Sequence, residues 1–154
     1  MTDIALARAI HVLAVVVWIG GVAMVTTVIL PLLRREGAPA ARLALFAAVE
    51  RRFIWQARIA TLLVAASGFY LVQRLGLWDR FRLAEFWWMH AMVCLWLIFT
   101  LLLFVGEPLI LHRWLHRRAM QASDATFALL HRLHWVLLAL SLLTILAAVM
   151  GSTL

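Results

Sequence analysis

Four long apolar runs dominate this chain, and they restrict it to very few folds. The first run is the clearest, because no charged side chain occurs between Ala9 and Leu33. About 20 consecutive apolar residues are enough for a helix to cross the hydrocarbon core of a bilayer. Inside that core every backbone N–H and C=O group needs a partner, and a helix supplies those partners within itself. The sequence therefore predicts an all-α, polytopic membrane protein built as a bundle of four transmembrane helices.

The apolar runs predict spans over residues 4–33, 53–75, 86–111 and 127–150. Because the connectors between them are short, the whole chain, residues 1–154, should form a single membrane domain. The connector after the first span contains an apolar stretch, Leu43–Val49, which indicates a short surface helix. Pro31 and Pro108 lie near the ends of the first and third spans, where proline ends or distorts a helix.

The basic residues are distributed unevenly between the connectors. All 14 of them are arginine, against seven acidic residues, which gives a net charge of +7. Most of the arginines lie in or beside the connectors that follow the first and third spans. Basic residues concentrate on the cytoplasmic side of membrane proteins, so we expect both termini on the periplasmic side of a bacterial inner membrane. Arginine-rich loops of this kind meet anionic lipid, so the bilayer, and not nucleic acid, is the expected partner.

Two histidines lie at matching depths inside their spans. His11 is about seven residues, or roughly 10 Å, into the first span, and His90 is about four residues into the third. Ionisable side chains are costly in hydrocarbon and tend to mark function, and two imidazoles on facing helices can bind haem iron axially. Arg8 lies one turn before His11 and is expected to pair with a haem propionate, with Trp18 and Tyr70 lining the pocket. The structural alternative is that each imidazole only hydrogen-bonds a carbonyl or hydroxyl group.

Four further histidines lie towards the opposite side of the bundle: His112, His116, His131 and His134. His112 and His116 are about one helical turn apart, and so are His131 and His134. Together the two pairs can form a zinc or copper site or ligate a second haem. The first pair stands among arginines in a connector, where an ordinary solvated surface explains it. His134 is the stronger candidate ligand, because it lies at the mouth of the fourth span.

Two methionines, Met89 and Met92, flank His90. Thioether and imidazole ligands suit Cu(I), so copper is the alternative to haem, and copper binding or transport is the alternative function. Methionine is also a common space-filler in apolar helices. A second alternative is a structural or assembly subunit of a membrane complex without a cofactor.

A charged pair is predicted between the second and third spans. Arg58 and Glu107 each lie four or five residues from the cytoplasmic end of their span, so their depths match. An ion pair would hold both charges in the bilayer, where an unpaired charge is expensive. We expect a structural clamp, with a proton path from the cytoplasm as the functional alternative.

The first span also carries a family resemblance. Ala9–Gly21, with the sequence AIHVLAVVVWIGG, resembles the first-span motif of the copper-resistance protein D (CopD) superfamily. The HemJ-type protoporphyrinogen oxidases, which are small four-span haem b proteins, share a similar motif, and Trp88–Ala91 resembles the start of their third span. The resemblance implies a four-span bundle that binds haem b, with His11 at the position of the haem-binding histidine.

Two differences separate this chain from the HemJ-type enzymes. They carry a lysine shortly after the third-span histidine, whereas Met92 occupies that neighbourhood here. The last span opens with His131–Trp135, which is similar to the Arg-x-x-His-Trp starts of membrane cytochrome b electron carriers, and Glu107–Trp114 suggests a distinct subfamily. We therefore expect electron transfer or an oxidoreductase step with quinone or a redox protein, in a monomer or a homo-oligomer. Enzyme and carrier both stay open, because the cofactor performs the chemistry in either case.

Overall fold

The computed structural model describes residues 2–35, 38–111 and 123–151, leaving aside the side chains of residues 39, 40, 43, 107–111, 123 and 126. Four of its helices are long and apolar enough to cross a membrane: Thr2–Arg35, Ala44–Arg74, Ala84–Gly106 and Phe127–Gly151. Within the described ranges every regular element is helical. The prediction of an all-α bundle with four membrane spans is confirmed.

The first span consists of α1 (Thr2–Met24), a π-helical segment (Val25–Ile29) and α2 (Leu30–Arg35). The second is α3 (Pro39–Arg74), followed by two short 3₁₀ helices (Leu77–Arg82 and Ala84–Phe86). The third consists of α4 (Trp87–Leu101) and a second π-helical segment (Leu102–Leu111), and the fourth is α5 (Ser123–Gly151).

The second span is longer at its start than the sequence suggested. A separate surface helix over Leu43–Val49 is wrong, because α3 runs without interruption from Pro39 to Arg74. Proline at the first turn favours helix initiation, and no glycine or proline follows until Gly68. The helix ends before Gly76, whose φ of 65° lies in the left-handed region that favours glycine.

In each π segment, one backbone carbonyl has a proline at the position from which its hydrogen-bond donor should come. In a π-helix the carbonyl of residue i accepts from the N–H of residue i+5, as the Leu30 N–H does with the Val25 oxygen. By the same register the carbonyl of Thr26 faces Pro31, and that of Leu103 faces Pro108. Proline has no N–H to donate. Both carbonyls therefore need donors from elsewhere.

Side chains from other spans supply those donors. The Nε2 atom of His131 in α5 lies 3.0 Å from the Thr26 oxygen. The Nε and Nη2 atoms of Arg58 in α3 donate to the Leu103 oxygen at 3.1 and 2.8 Å. Each proline thus requires a contact between two spans, which ties the bundle together at two points.

Contacts at the two ends show how neighbouring spans are oriented. At one end, called the terminal end, Tyr70 and Arg74 each donate to the Asp3 carboxylate at 2.9 Å. The indole of Trp88 also packs directly on Gly151 there. At the opposite connector end, Arg42 donates to the Asp124 carboxylate at 2.6 Å. The first span is therefore antiparallel to the second, and the third is antiparallel to the fourth.

Two apolar cores follow one another along the bundle. The first contains residues from all four spans: Ala14, Trp18, Ile19, Val22, Ala60, Val64, Leu95, Phe99 and Leu138. In it the rings of Trp18 and Phe99 meet edge to face with centroids 4.9 Å apart. The second lies towards the connector end: Val25, Leu30, Leu33, Phe46, Phe127 and Leu130. Close packing between the first two spans also depends on Gly21, where the ring of Phe53 leaves no room for a Cβ atom.

The outer surface of the bundle is apolar. Leu13, Phe69, Leu143 and Val149 each expose more than three fifths of their surface, and many similar side chains accompany them. Soluble monomers rarely expose continuous apolar surface of this extent. The exposed side chains are therefore suited to lipid, which confirms the bilayer as the environment of this protein.

We expect the contact between His131 and Thr26 to stabilise the fold only while Pro31 is present. His131→Leu should lower the free energy of unfolding by about 1–3 kcal/mol, because it leaves a buried carbonyl without a donor. Pro31→Ala restores a backbone N–H, so His131→Leu should cost clearly less in that background. Unfolding of the four proteins in detergent, followed by circular dichroism, completes this double-mutant cycle.

Equal costs of His131→Leu in the two backgrounds would contradict the proposed role of the contact. Arg132→Leu serves as the matched control, because this neighbouring side chain is exposed and should show no coupling to Pro31.

Candidate functional site

His11 is held against the second span by one nitrogen of its ring. Its Nδ1 atom lies 3.1 Å from the Val64 carbonyl oxygen and 3.0 Å from the Ser67 hydroxyl oxygen. A carbonyl oxygen only accepts, so Nδ1 carries the proton and Nε2 keeps its lone pair. Gly68 provides the space, because a Cβ atom there would lie 3.2 Å from Cε1 of the imidazole. The ring is fixed in place and tautomer, as the structural alternative also predicts, and Nε2 has no hydrogen-bond partner among the residues that the structure describes.

His134 has the same arrangement on the fourth span. Its Nδ1 atom lies 2.9 Å from the Leu130 carbonyl oxygen, one turn earlier in α5. Nδ1 is therefore the protonated nitrogen, and Nε2 has no hydrogen-bond partner among the residues that the structure describes.

His131 differs from both, because its contacts involve both ring nitrogens. Nε2 faces the Thr26 oxygen, and Nδ1 lies 3.4 Å from an Arg34 nitrogen that can only donate. These two contacts select the tautomer with the proton on Nε2. The indole N–H of Trp135 also points at Nε2 from 3.0 Å and could be accepted only in the other tautomer, so two contacts against one favour the proton on Nε2. In this arrangement His131 has a structural task and no lone pair for a metal.

His90 lies near the terminal end and is exposed. Its ring meets that of Phe81 edge to face with centroids 5.4 Å apart, and no described contact joins it to His11. Two histidines that held a haem between them would not touch each other, so the pairing of His11 with His90 stays a prediction. Met89 is buried and Met92 half-buried in the same helix.

The other predicted haem-pocket residues lie in different places. Arg8 is exposed. Trp18 is 4% exposed, and its indole Nε1 is buried with no hydrogen-bond partner among the described residues. The Tyr70 hydroxyl instead donates to Asp3 in the terminal-end cluster with Arg74. Of the three, only Trp18 belongs to the lining of the cavity described below.

Arg58 bridges the second and third spans, but through a backbone carbonyl. Arg58 donates two hydrogen bonds to the Leu103 carbonyl and lies over the rings of Trp55 and Phe104. The side chain of Glu107 lies outside the described residues, so the ion pair between Arg58 and Glu107 stays a prediction. His112 and His116 also lie outside the described residues.

The cavity lies in the connector half of the bundle and has a volume of about 440 Å³. All four spans contribute to its wall, and both π segments border it, through Val25 and Ile29 on one side and Leu103 and Gly106 on another. Short π-helical turns occur often at functional sites. The volume lies within the range of roughly 300–1,000 Å³ that is usual for small-molecule sites.

The cavity wall is apolar except for a few side chains. His134, Trp18 and Glu50 are the polar members of the lining, and the others are mainly aliphatic and aromatic. An apolar pocket with a few converging polar groups is the usual form of a ligand site.

Sequence reasoning missed several residues of these sites. Ser67 and Val64, which hold His11, are ordinary residues of an apolar helix and carry no signal in the sequence. Arg42 is 5% exposed although the sequence places it in a connector, and its guanidinium also lies over the ring of Phe127. Glu50, which lines the cavity, resembled any acidic residue of a charged connector.

In the part of the chain that the structure describes, no three His, Cys, Asp or Glu side chains come together as a metal site. Comparison of this chain with protein-family models, with curated proteins and with solved structures finds no match. The resemblance to the CopD superfamily and the HemJ-type enzymes therefore stays a prediction from two segments of sequence.

The hydrogen bonds predict two classes of histidine in this protein. His11 and His134 should carry their proton on Nδ1 and His131 on Nε2, because the backbone carbonyls accept from those atoms. Spectra that correlate ring protons with ¹⁵N in histidine-labelled protein, at a pH of about 8, distinguish the two neutral tautomers. Single His→Gln variants assign the signals. A protonated Nε2 on His11 or His134 would show that the nitrogen assigned to ligand binding is not free.

Proposed function

We propose that this protein is an integral membrane haem b protein that acts in electron transfer or as a membrane oxidoreductase. The observation that supports it is the hydrogen-bonded state of His11. Its Nδ1–H is engaged by the Val64 carbonyl and the Ser67 hydroxyl, and Nε2 keeps the lone pair that a haem iron requires.

The surroundings of His11 are those expected of a histidine that would hold a metal. Metal-binding histidines usually donate their other N–H to a carbonyl or carboxylate, which fixes the ring and raises its basicity. Here both partners lie on the same face of α3, and Gly68 keeps that face open to the ring. His90 is proposed as the second ligand and Arg8 as the partner of a propionate.

Haem b would supply one-electron transfer, and the protein would set its position and surroundings. The apolar spans would keep water from the site. The arginine distribution supports a bacterial inner membrane with both termini on the periplasmic side. The proposed redox partner is a quinone in the bilayer or a redox protein. The likeness of Ala9–Gly21 to the first span of the CopD superfamily supports the same proposal.

The purified protein should show the visible spectrum of low-spin haem b. In detergent it should have a Soret band that shifts on reduction by dithionite, with sharp α and β bands. His11→Ala should remove the haem or convert it to a high-spin form, and His90→Ala should do the same if it is the second ligand. His131→Ala is the matched control, because both nitrogens of that ring have structural partners.

Other outcomes would point to other functions. Retention of the full haem spectrum in both the His11→Ala and the His90→Ala proteins would refute the ligand assignment. A colourless protein with stoichiometric copper would favour copper binding or transport. A colourless, metal-free protein that co-purifies with a larger complex would favour a structural or assembly subunit.

A further inference from the structure

The cavity in the connector half is open to ligands from the lipid. Leu102, Leu133 and Val136 line it, and the same side chains expose 46%, 50% and 56% of their surface on the bundle. The wall between the third and fourth spans thus reaches the lipid-facing surface. A ligand dissolved in the bilayer can arrive there without crossing water.

Two of the three polar side chains in the lining, His134 and Trp18, define what such a ligand must offer, because the third, Glu50, already has a contact of its own. His134 lines the cavity with its Nδ1 proton already donated to Leu130, so its Nε2 can only accept a hydrogen bond. Trp18 also lines the cavity, and its buried indole N–H can only donate. A buried donor without a partner costs about 1–3 kcal/mol. The favoured ligand therefore carries both a donor and an acceptor.

We propose that this cavity binds the head group of a hydroquinone from the bilayer. One hydroxyl of a hydroquinone donates to Nε2 of His134, and the oxygen on the other side of its ring accepts from the Trp18 N–H. The flat ring and its hydrocarbon substituent match the aliphatic and aromatic wall. A lipid acyl chain would fill the same space and leave both polar groups without partners.

This site rests on the proposed function in one respect, since it gives the redox partner, a hydroquinone, a place to bind. The role of the ligand in electron transfer rests on the proposed haem, whereas its binding does not. His11 is not in the lining, so the haem ligand and the hydroquinone site can be tested separately.

The test is the binding of decylubiquinol to the full-length protein in detergent. A ligand that binds only the folded state raises the unfolding temperature, and the concentration dependence of that rise gives the dissociation constant. We expect His134→Leu and Trp18→Phe each to weaken binding roughly tenfold, the usual effect of losing one hydrogen bond. Trp87→Phe is the matched control, because it removes an exposed indole N–H outside the cavity and should leave binding unchanged.

Two further measurements protect the test against misfolded variants. Gly106→Leu extends a side chain from the cavity wall, where a Cβ atom meets only ordinary contacts at 3.7 Å, and should block binding without touching either polar group. Decylbenzene has the same alkyl chain but no oxygen atoms. It should bind the parent protein and the His134→Leu protein equally.

Unchanged decylubiquinol binding in His134→Leu and Gly106→Leu would overturn the proposal, and so would equal affinity of the parent protein for decylbenzene and decylubiquinol. Loss of the Soret band in His134→Leu would overturn it differently, by assigning the cavity to haem. A parent protein that binds decylubiquinol but has no Soret band would refute the haem proposal alone.

Discussion

Two backbone carbonyls that no helix can satisfy explain much of how this bundle is held together. Within the bilayer a polar group without a partner costs several kcal/mol, so each carbonyl must find a donor inside the protein. Pro31 and Pro108 remove the donors that the π-helical register would give to Thr26 and Leu103. His131 and Arg58 replace them from the fourth and second spans. Costly polar residues in the membrane are here the direct consequence of two prolines.

The same constraint separates the histidines into different roles. His131 uses both nitrogens for structural contacts, whereas His11 and His134 each use one nitrogen to satisfy a carbonyl. A single bond to a carbonyl fixes the ring, selects the tautomer and leaves the lone pair on the other nitrogen. Three similar residues in similar helices thus differ in chemistry because of which atoms they satisfy.

The sequence predicts the spans well, because apolar length alone decides them in a bilayer. It also indicates that Arg58 joins the second and third spans, since the cost of buried charge is a local property, and a partner in the structure is the Leu103 carbonyl. It fails where partners are set by helix rotation and register. The continuity of α3 does not follow from the sequence pattern. The difference between His131 and His134 does not follow from their spacing either, because the two residues lie one turn apart on one helix and differ in the atoms that they contact. The cavity is likewise a product of four spans packing together.

The proposed haem ligand and the cavity are connected by a single helix. Trp18 follows His11 by seven residues, which corresponds to roughly 10 Å along α1, and its ring forms part of the cavity wall. The edge-to-face contact with Phe99 fixes that ring between the first and third spans. A hydroquinone held by Trp18 would therefore lie in the half of the bundle opposite to His11, with a rigid aromatic pair between them. If both proposals hold, the haem ligand and the hydroquinone would lie at different depths of the bundle, one on each side of this aromatic pair.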